Sequence, residues 1–378
     1  MDLRIRDIDI TQKEYRERLL NVKKKMRKKE VDVLIVDQVE HIGYLTGYLP
    51  TAAMYQACIV PLNEEPLVIL RALDERAFIE QSTNQNYVLF NDWENPLQIV
   101  IDVFKNKGWE ESRLGLELDS NFLFPTRYQY IVNGLPKAQI VDFSKIIWEL
   151  KLIKSSYEIN CLQNAGRIAD QSMLSAILKV KEGVLEREVA SEVYDAALRL
   201  GADNTRMLLM NSGQRLGSYH GQLGNRRLSN GDIVHIETTP HYKGYTARIM
   251  RTAIIGTPSQ EQEYIANELI RIQDEQFEAI RPGAIASEVD AIAREQIIKS
   301  GLVKKYPNTT GYTLGFIYVP RTSDFTRVFL PNSTWRLEEG MVFHMYLGAQ
   351  GISFSETIVI TNDGYDRLTN LDRKIFIN

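Results

Sequence analysis

Two strand-like runs in the second half of the chain carry the residue types that acid–base chemistry requires. Four of the five histidines lie in this half. Strand alternation places His235 and Glu237 on one face of the first run, and His344 and Tyr346 on one face of the second. A carboxylate and imidazoles are groups that general acid–base and nucleophilic catalysis use near neutral pH. We therefore expect these strands to face a site, although any single histidine here is also compatible with a structural role.

Several common catalytic motifs are absent from the sequence. It contains no GxGxxG dinucleotide loop, no Walker phosphate loop, no HExxH helix and no GxSxG elbow. Dinucleotide-dependent, nucleotide-triphosphate-dependent and ordinary zincin chemistry are thereby disfavoured.

Composition restricts the class of partner and compartment. The 378 residues are 44% hydrophobic and 25% charged, with a formal net charge of −4 and no basic stripe, so we expect neither a nucleic acid nor a membrane as partner. No apolar run approaches the roughly 18 residues that a membrane span needs. Cys58 and Cys161 form no CxxC pair, and charges occupy the first residues where a leader would be apolar. The sequence predicts a cytoplasmic protein.

The first part of the chain has an α/β pattern. Thr11–Glu14 has the form of a capping box that opens a helix to about residue 29. Short apolar runs and one further helix follow, which indicates a layered sheet. The predicted strands are 31–36, 57–61, 67–71, 88–90, 113–117 and 139–141, and the helix is 96–107.

From about residue 152 onward the pattern changes to α+β, with helices and strands grouped. We therefore predict two domains, 1–152 and 153–378. Thr257, followed by Pro258, is the expected N-cap of the third long helix of the second domain. The predicted helices are 157–181, 186–200, 258–280 and 286–300, and the strands are 206–210, 232–237, 245–255, 340–346 and 352–361.

A weak internal similarity between two segments is present in the second domain. Residues 233–255 and 342–360 each form two strand-like runs joined by a polar turn, and each follows a glycine-containing turn at Gly231 or Gly340. This pattern is compatible with two similar halves that face each other across a cleft.

The second domain resembles the superfamily of prolidase, Xaa-Pro aminopeptidase, methionine aminopeptidase and creatinase, which has the pita-bread fold. The first domain resembles the creatinase-type N-terminal domain, including His41–Tyr48. The resemblance implies an α+β C-terminal pita-bread domain preceded by a smaller α/β domain. The matching segments of the second domain are Leu152–Ile159, Asn230–Val234, Gly244–Tyr245, Arg251–Thr252, Arg281–Gly283 and Leu337–Val342.

The same resemblance argues against a metallopeptidase. Relatives that hold two metal ions use two aspartates, a histidine and two glutamates. The corresponding positions here are Glu237, Arg248, Tyr312, Tyr346 and Ser355. Divalent ions need several anionic or imidazole ligands, and a guanidinium would repel them. We expect no metal and no other cofactor.

Metal-free relatives suggest what the site does instead. The chain is similar to ectoine hydrolase, which opens a small cyclic amidine carboxylate, in Glu237, Gly311–Gly315, Phe343–Gly348 and Gly351–Thr357. Arg248 departs from that pattern. The similarity implies a metal-independent hydrolase of a C–N bond in a small zwitterionic amidine or amide.

The residues allow a catalytic scheme for that reaction. Glu237 is expected to act as nucleophile or base, His220 and His344 as proton shuttles, and Tyr312 as an uncharged donor. Arg248 is expected to bind a substrate carboxylate.

Four further residues are assigned to substrate binding: Arg321, Tyr346, Glu356 and Tyr55. An ion pair between Arg251 and Glu356 is the alternative role for that glutamate. Two other functions stay open, an Xaa-Pro dipeptidase or aminopeptidase and a catalytically silent binder of small molecules or peptides.

Assembly follows from the resemblance. Relatives complete the site with a loop from a second subunit, which corresponds here to the apolar and aromatic segment Tyr48–Tyr55. We expect a homodimer with this loop near the partner's cleft, or else a loop packed on its own domain.

Overall fold

A computed structural model describes residues 12–51, 54–82, 84–216, 221, 223–318 and 321–378, without the side chains of residues 206–209. The chain divides into two compact units, Met1–Leu150 and Lys151–Asn378, two residues before the boundary expected from the sequence. None of the helices within the described residues is long and apolar enough to cross a lipid bilayer.

The first unit contains a mixed six-stranded sheet in the order β4-β3-β2-β1-β5-β6. Strand β2 pairs antiparallel with β1 and β3, while the pairs β1–β5, β5–β6 and β3–β4 are parallel. The elements are α1 Gln12–Lys29, β1 Val33–Val36, α2 Val39–Thr46, β2 Ala57–Pro61, β3 Leu67–Arg71, α3 Glu75–Gln81, β4 Tyr87–Phe90, α4 Pro96–Asn106, β5 Arg113–Leu116, α5 Pro125–Gly134, β6 Gln139–Asp142 and α6 Ile146–Leu150. The predicted capping residue Thr11 lies outside the described residues.

The second unit contains a larger sheet in the order β12-β11-β13-β14-β10-β8-β7, with β15 beside β14, β16 beside β10 and β9 beside β8. Its elements are α7 Ser156–Lys179, α8 Glu186–Arg199, β7 Asn204–Ser212, β8 Ile233–Tyr242, β9 Tyr245–Thr246, β10 Ile249–Ile254, α9 Gln260–Glu278, α10 Ala286–Lys299, β11 Gly311–Thr313, β12 Val328–Phe329, β13 Val342–Ala349, β14 Ile352–Ile360, β15 Tyr365–Arg367 and β16 Ile375–Ile377.

Capping residues fix where two of the long helices of this unit, α7 and α9, begin. Ser155 and Glu158 form a reciprocal capping box at the start of α7. At α9 the N-cap is Ser259, whose hydroxyl accepts from the backbone N–H of Gln262. The prediction of Thr257 as N-cap is therefore wrong by two residues: both Thr257 and Ser259 have a glutamine three positions later, but the reciprocal capping bonds form between Ser259 and Gln262.

The four long helices pack on one face of the larger sheet. Alternate strand residues such as Val234, Ile236 and Ile249 form a core with α7 and α8. Leu347 and Phe354 do the same with α9 and α10. Because side chains alternate across a strand, the intervening residues must point to the opposite, largely polar face. This second face holds the candidate site.

The two halves of this unit repeat each other's main-chain hydrogen bonds. The N–H of Gly231 donates to the carbonyl of Ile255 at 2.7 Å, and that of Gly340 donates to Ile360 at 2.9 Å. Both glycines have φ of +84°, a conformation that glycine adopts at little cost. The internal similarity seen in the sequence is thus present in the structure, but the two hairpins do not face each other across a cleft. They are neighbours in one sheet, where β10 pairs with β14.

Candidate functional site

The alternation predicted for β8 and β13 is confirmed. Glu237 pairs with Met250 of β10, and His235 pairs two positions away with Thr252, so both side chains lie on the polar face. The rings of His344 and Tyr346 are stacked with their centroids 5.3 Å apart. Strands therefore hold these four side chains, which fixes their positions relative to one another.

Strand pairing brings distant residues together across the middle of the sheet. Met250 of β10 lies opposite both Glu237 and Ser355, and Ser355 lies opposite Tyr346 of β13. Tyr312 of β11 is paired with His344. All of the positions that the resemblance assigns to metal ligands on these strands therefore converge on one face.

Arg248 is the centre of the site. It lies between β9 and β10, where its backbone N–H donates to the Thr357 hydroxyl at 2.8 Å. Its guanidinium forms an ion pair with Glu237 and donates to the Tyr312 hydroxyl. The side chains of Arg248 and Glu237 are 7% and 3% exposed, so the ion pair is buried.

A chain of hydrogen bonds continues from Arg248 to His344. The Tyr312 hydroxyl accepts from Arg248 and lies 2.9 Å from Nδ1 of His344. A hydroxyl that accepts from a guanidinium has its own proton to donate, and Nδ1 is the acceptor within reach. The neutral His344 ring therefore carries its proton on Nε2.

Burial controls the ionisation of this chain. Burial, and then the charge of Arg248, lowers the pKa of His344 well below its ordinary range. His344 is neutral at pH 7, and its Nε2–H is a hydrogen-bond donor. The prediction of His344 as a proton shuttle near neutral pH is thus corrected, because the imidazolium form is too unfavourable here.

The two tyrosines also remain uncharged. Burial is the largest effect on Tyr312 and raises its pKa despite the opposing charge of Arg248. Burial likewise raises the pKa of Tyr346. Burial is the largest single effect on Arg248 and opposes its charge, but the surrounding groups, Glu237 first among them, together outweigh burial and raise the pKa of Arg248. The site thus combines one ion pair with neutral donors.

Three buried polar atoms of the site have no hydrogen-bond partner within the described part of the chain. They are Oε2 of Glu237, Nε2 of His344 and Oγ of Ser355. Buried polar groups are almost always paired in native proteins, so a cluster of unpaired ones needs an explanation. A ligand or water that bonds to them supplies it.

The residues at the five family positions do not fit a divalent ion. Two of them, Glu237 and Tyr312, direct oxygens at the guanidinium of Arg248 instead. The described residues include no group of three or more histidine, cysteine, aspartate or glutamate side chains placed to hold a metal. A metal here would have to displace a buried cation that is already paired.

Glu356 does not belong to the site. It follows Ser355 on β14 and therefore points to the helix-covered face, where it is fully buried. Its carboxylate pairs with Arg251 at 2.7 Å and accepts from the Thr369 hydroxyl at 2.5 Å. The substrate-binding assignment of Glu356 is corrected, and the alternative of an ion pair with Arg251 is confirmed.

Tyr55 is also misassigned. Its side chain is 4% exposed and packs in the core of the first unit. The Arg127 guanidinium lies 5.2 Å from the centre of its ring. A ring packed in this way is not available to a substrate.

The remaining predicted residues have different outcomes. Arg321 is partly buried and precedes Thr322, whose hydroxyl accepts from Arg248 at 3.3 Å. Arg321 therefore stays a candidate for substrate binding beside the network. His220 lies outside the described residues. Sequence reasoning missed Thr322 and Phe325, because neither belongs to a recognisable motif. The centre of the Phe325 ring lies 5.0 Å from that of the Tyr312 ring.

Comparison with known proteins agrees with this architecture. The family model of the creatinase/prolidase N-terminal domain matches residues 18–153, and that of metallopeptidase family M24 matches residues 160–362. The Xaa-Pro dipeptidase of Pyrococcus furiosus is 28% identical over 95% of this chain and 99% of its own length. The ectoine hydrolase of Halomonas elongata is 25% identical over 98% of each chain.

A solved structure confirms the pita-bread fold. Prolidase from Thermococcus sibiricus superposes with a TM-score of 0.85 at 26% identity, over 96% of this chain and 99% of that one. Together with the two matching domains, this similarity identifies the chain as a member of metallopeptidase family M24, a family of hydrolases.

Proposed function

We propose that the protein hydrolyses a C–N bond in a small zwitterionic amidine or amide, without a divalent metal ion. One observation carries the proposal: Arg248 pairs with Glu237 and Tyr312 where relatives place metal ligands, while Glu237 Oε2 and His344 Nε2 are buried and have no hydrogen-bond partner among the residues that the structure describes. A cation held by the chain takes the place of the ions, and two reactive atoms are left for a substrate.

Glu237 is the group that begins the reaction. Its Oε1 is held by Arg248, so Oε2 is the oxygen directed at the substrate. As a base, Oε2 removes a proton from water, the resulting hydroxide adds to the amidine carbon, and the C–N bond breaks as that proton passes to the leaving nitrogen. As a nucleophile, Oε2 bonds to the amidinium carbon, and the C–N bond breaks as the leaving nitrogen takes a proton from the proposed shuttle His220. Water then adds to the same carbon, the bond to Oε2 breaks, the proton lost by water returns to His220, and the Glu237 carboxylate is regenerated with the amide product.

His344 and the arginines support that step. The Nε2–H of His344 donates a hydrogen bond to charge that develops on the substrate, as a neutral donor does in an oxyanion hole. Since Arg248 is already paired with Glu237, Arg321 is the better candidate to bind a substrate carboxylate. His220 remains the proposed proton shuttle.

The curated relatives do not decide the substrate by identity alone. The ectoine hydrolase and the Xaa-Pro dipeptidase match this chain at 25% and 28% identity. The distinction rests on the donor set, because Arg248, Tyr312, Tyr346 and Ser355 do not provide the anionic ligands of a metal-dependent peptidase.

A turnover screen tests the proposal. Ectoine, hydroxyectoine, creatine and Xaa-Pro dipeptides are incubated with the protein in the presence of a chelator, and products are followed by chromatography. Turnover of an amidine carboxylate that persists with chelator supports the proposal. Turnover of dipeptides that requires an added divalent ion would establish the peptidase instead.

A second function, a catalytically silent binder, is favoured by one observation. The proposed nucleophile is itself engaged in a buried ion pair, as a structural replacement for lost metals would be. Under this alternative, Glu237→Gln binds a ligand of the site as tightly as the unmodified protein, and neither protein turns it over.

A further inference from the structure

Phe325 has a backbone conformation that a bulky side chain rarely adopts. Its φ is +53°, in the left-handed region. Such residues persist only where surrounding contacts impose them, and they concentrate at functional sites. The side chain is 54% exposed, so core packing does not explain why an aromatic residue occupies this position.

Hydrogen bonds from β11 impose the conformation. The Ser323 hydroxyl donates to the carbonyl of Thr313 at 2.6 Å and accepts from the N–H of Phe325 at 2.9 Å. The Thr313 hydroxyl donates to Asp324 at 2.6 Å. Thr313 directly follows Tyr312, so the strand that carries a site residue also fixes the position of Phe325.

The ring of Phe325 is the outer member of an aromatic wall that leads into the site. It lies 5.0 Å from the ring of Tyr312, and the Tyr312 ring lies 5.2 Å from that of His344. His344 in turn stacks on Tyr346. The exposed ring is therefore continuous with the buried residues that surround Glu237.

The charges of the site indicate what this wall receives. The Arg248 guanidinium lies 5.6 Å from the centre of the Tyr312 ring, so that inner ring already has a cation near it. Phe325 is the next ring outward and is exposed to solvent. Aromatic faces attract cations, and a flat cation can stack on the ring as well.

We propose that Phe325 is a specificity-determining residue whose ring receives the flat amidinium group of the substrate. The inference rests on the proposed function for its substrate class and deepens it. It predicts that the site prefers a cyclic amidine carboxylate over a cyclic amino acid with the same carboxylate but a tetrahedral ammonium.

Ligand binding measured by calorimetry tests this inference without turnover. Ectoine is the amidine probe and proline is the ammonium probe. We expect the unmodified protein to bind ectoine more tightly than proline, and Phe325→Gly to reduce that preference by about tenfold. The melting temperature of Phe325→Gly should be unchanged or higher, because glycine relieves the left-handed strain and little packing is lost.

Gln350→Gly is the matched control. Gln350 is exposed, has φ of +50° in the turn between β13 and β14, and donates from its side-chain amide to the carbonyl of Leu302 at 3.4 Å. This variant should also keep or raise the melting temperature, with the preference for ectoine intact.

Two outcomes overturn the inference. One is an unmodified protein without preference for ectoine over proline. The other is Phe325→Gly with an intact preference, whatever its melting temperature; a melting temperature several degrees lower would in addition mark Phe325 as a structural residue. The proposed function can fail independently of this inference. If the preference depends on Phe325 but the protein turns over no substrate, the inference is supported and the proposed hydrolase activity is rejected.

Discussion

Removing the charge of Glu237 should destabilise the second unit as well as stop its chemistry. The side chains of Glu237 and Arg248 are 3% and 7% exposed, so the free-energy cost known for breaking buried ion pairs applies here. Removing one partner of such a pair costs about 3–5 kcal/mol, because the other charge is left uncompensated. In Glu237→Gln the amide oxygen can still accept from Arg248, so we expect the lower end, about 3 kcal/mol. For a unit of this size the melting temperature should fall by roughly 6–12 °C.

A double-mutant cycle separates the ion pair from the loss of a side chain. Thermal melts are recorded for Glu237→Gln, Arg248→Met and the double variant. The double variant leaves no unpaired charge and should recover most of the stability, which gives a coupling of about 2 kcal/mol or more. Asp195→Asn is the control, since Asp195 pairs with Arg199 on an exposed helix surface and its loss should not change the melt measurably.

Turnover decides the role of Glu237. We expect every variant that lacks this carboxylate to lose on the order of a hundredfold or more in turnover, including the restabilised double variant. Additive losses of stability would refute the buried pair. A Glu237→Gln protein with a lower melting temperature but turnover within a few-fold of normal would remove Glu237 from the mechanism.

Three further expectations concern metal, pH and assembly. Elemental analysis of the purified protein should find no stoichiometric divalent ion; about one Mn, Zn, Fe or Co per chain, lost together with activity on chelation, would contradict the donor-set argument. Because the pKa of His344 is lowered in the folded protein, the unfolded chain binds the proton first, so stability should be full above about pH 6.5 and fall as the pH drops below it. Melts from pH 5 to 7.5 should show a steeper loss for the unmodified protein than for His344→Gln, and equal slopes would refute burial as the cause. Light scattering at micromolar concentration should give a homodimer, and a monomer would refute that proposal.

Strand positions were predictable where an apolar run is bounded by turn residues. The predicted strands Ala57–Pro61 and Leu67–Arg71 have the bounds found in the structure. Helix α2, Val39–Thr46, was missed because all of its residues are buried and it shows no polar face. Its N-cap residue Gln38 also forms no side-chain capping bond, so no local start signal is present.

The candidate site was only partly predictable. Alternation placed Glu237 on the correct face, because β8 is regular and one face packs on helices. The contact of Arg248 with Tyr312 joins residues 64 positions apart, and no local pattern encodes it. Glu356 was assigned to the wrong face because a shift of one residue along a strand exchanges the faces.

A cationic side chain differs from a bound metal ion because its presence does not depend on a binding equilibrium. The occupancy of a metal site depends on the free ion concentration, and the stability that the ion contributes rises and falls with it. The guanidinium of Arg248 is covalently attached, so its occupancy is one at every ion concentration and in the presence of any chelator. The charge opposite Glu237 is therefore set by synthesis of the polypeptide and is independent of how metal ions are distributed among the proteins that compete for them.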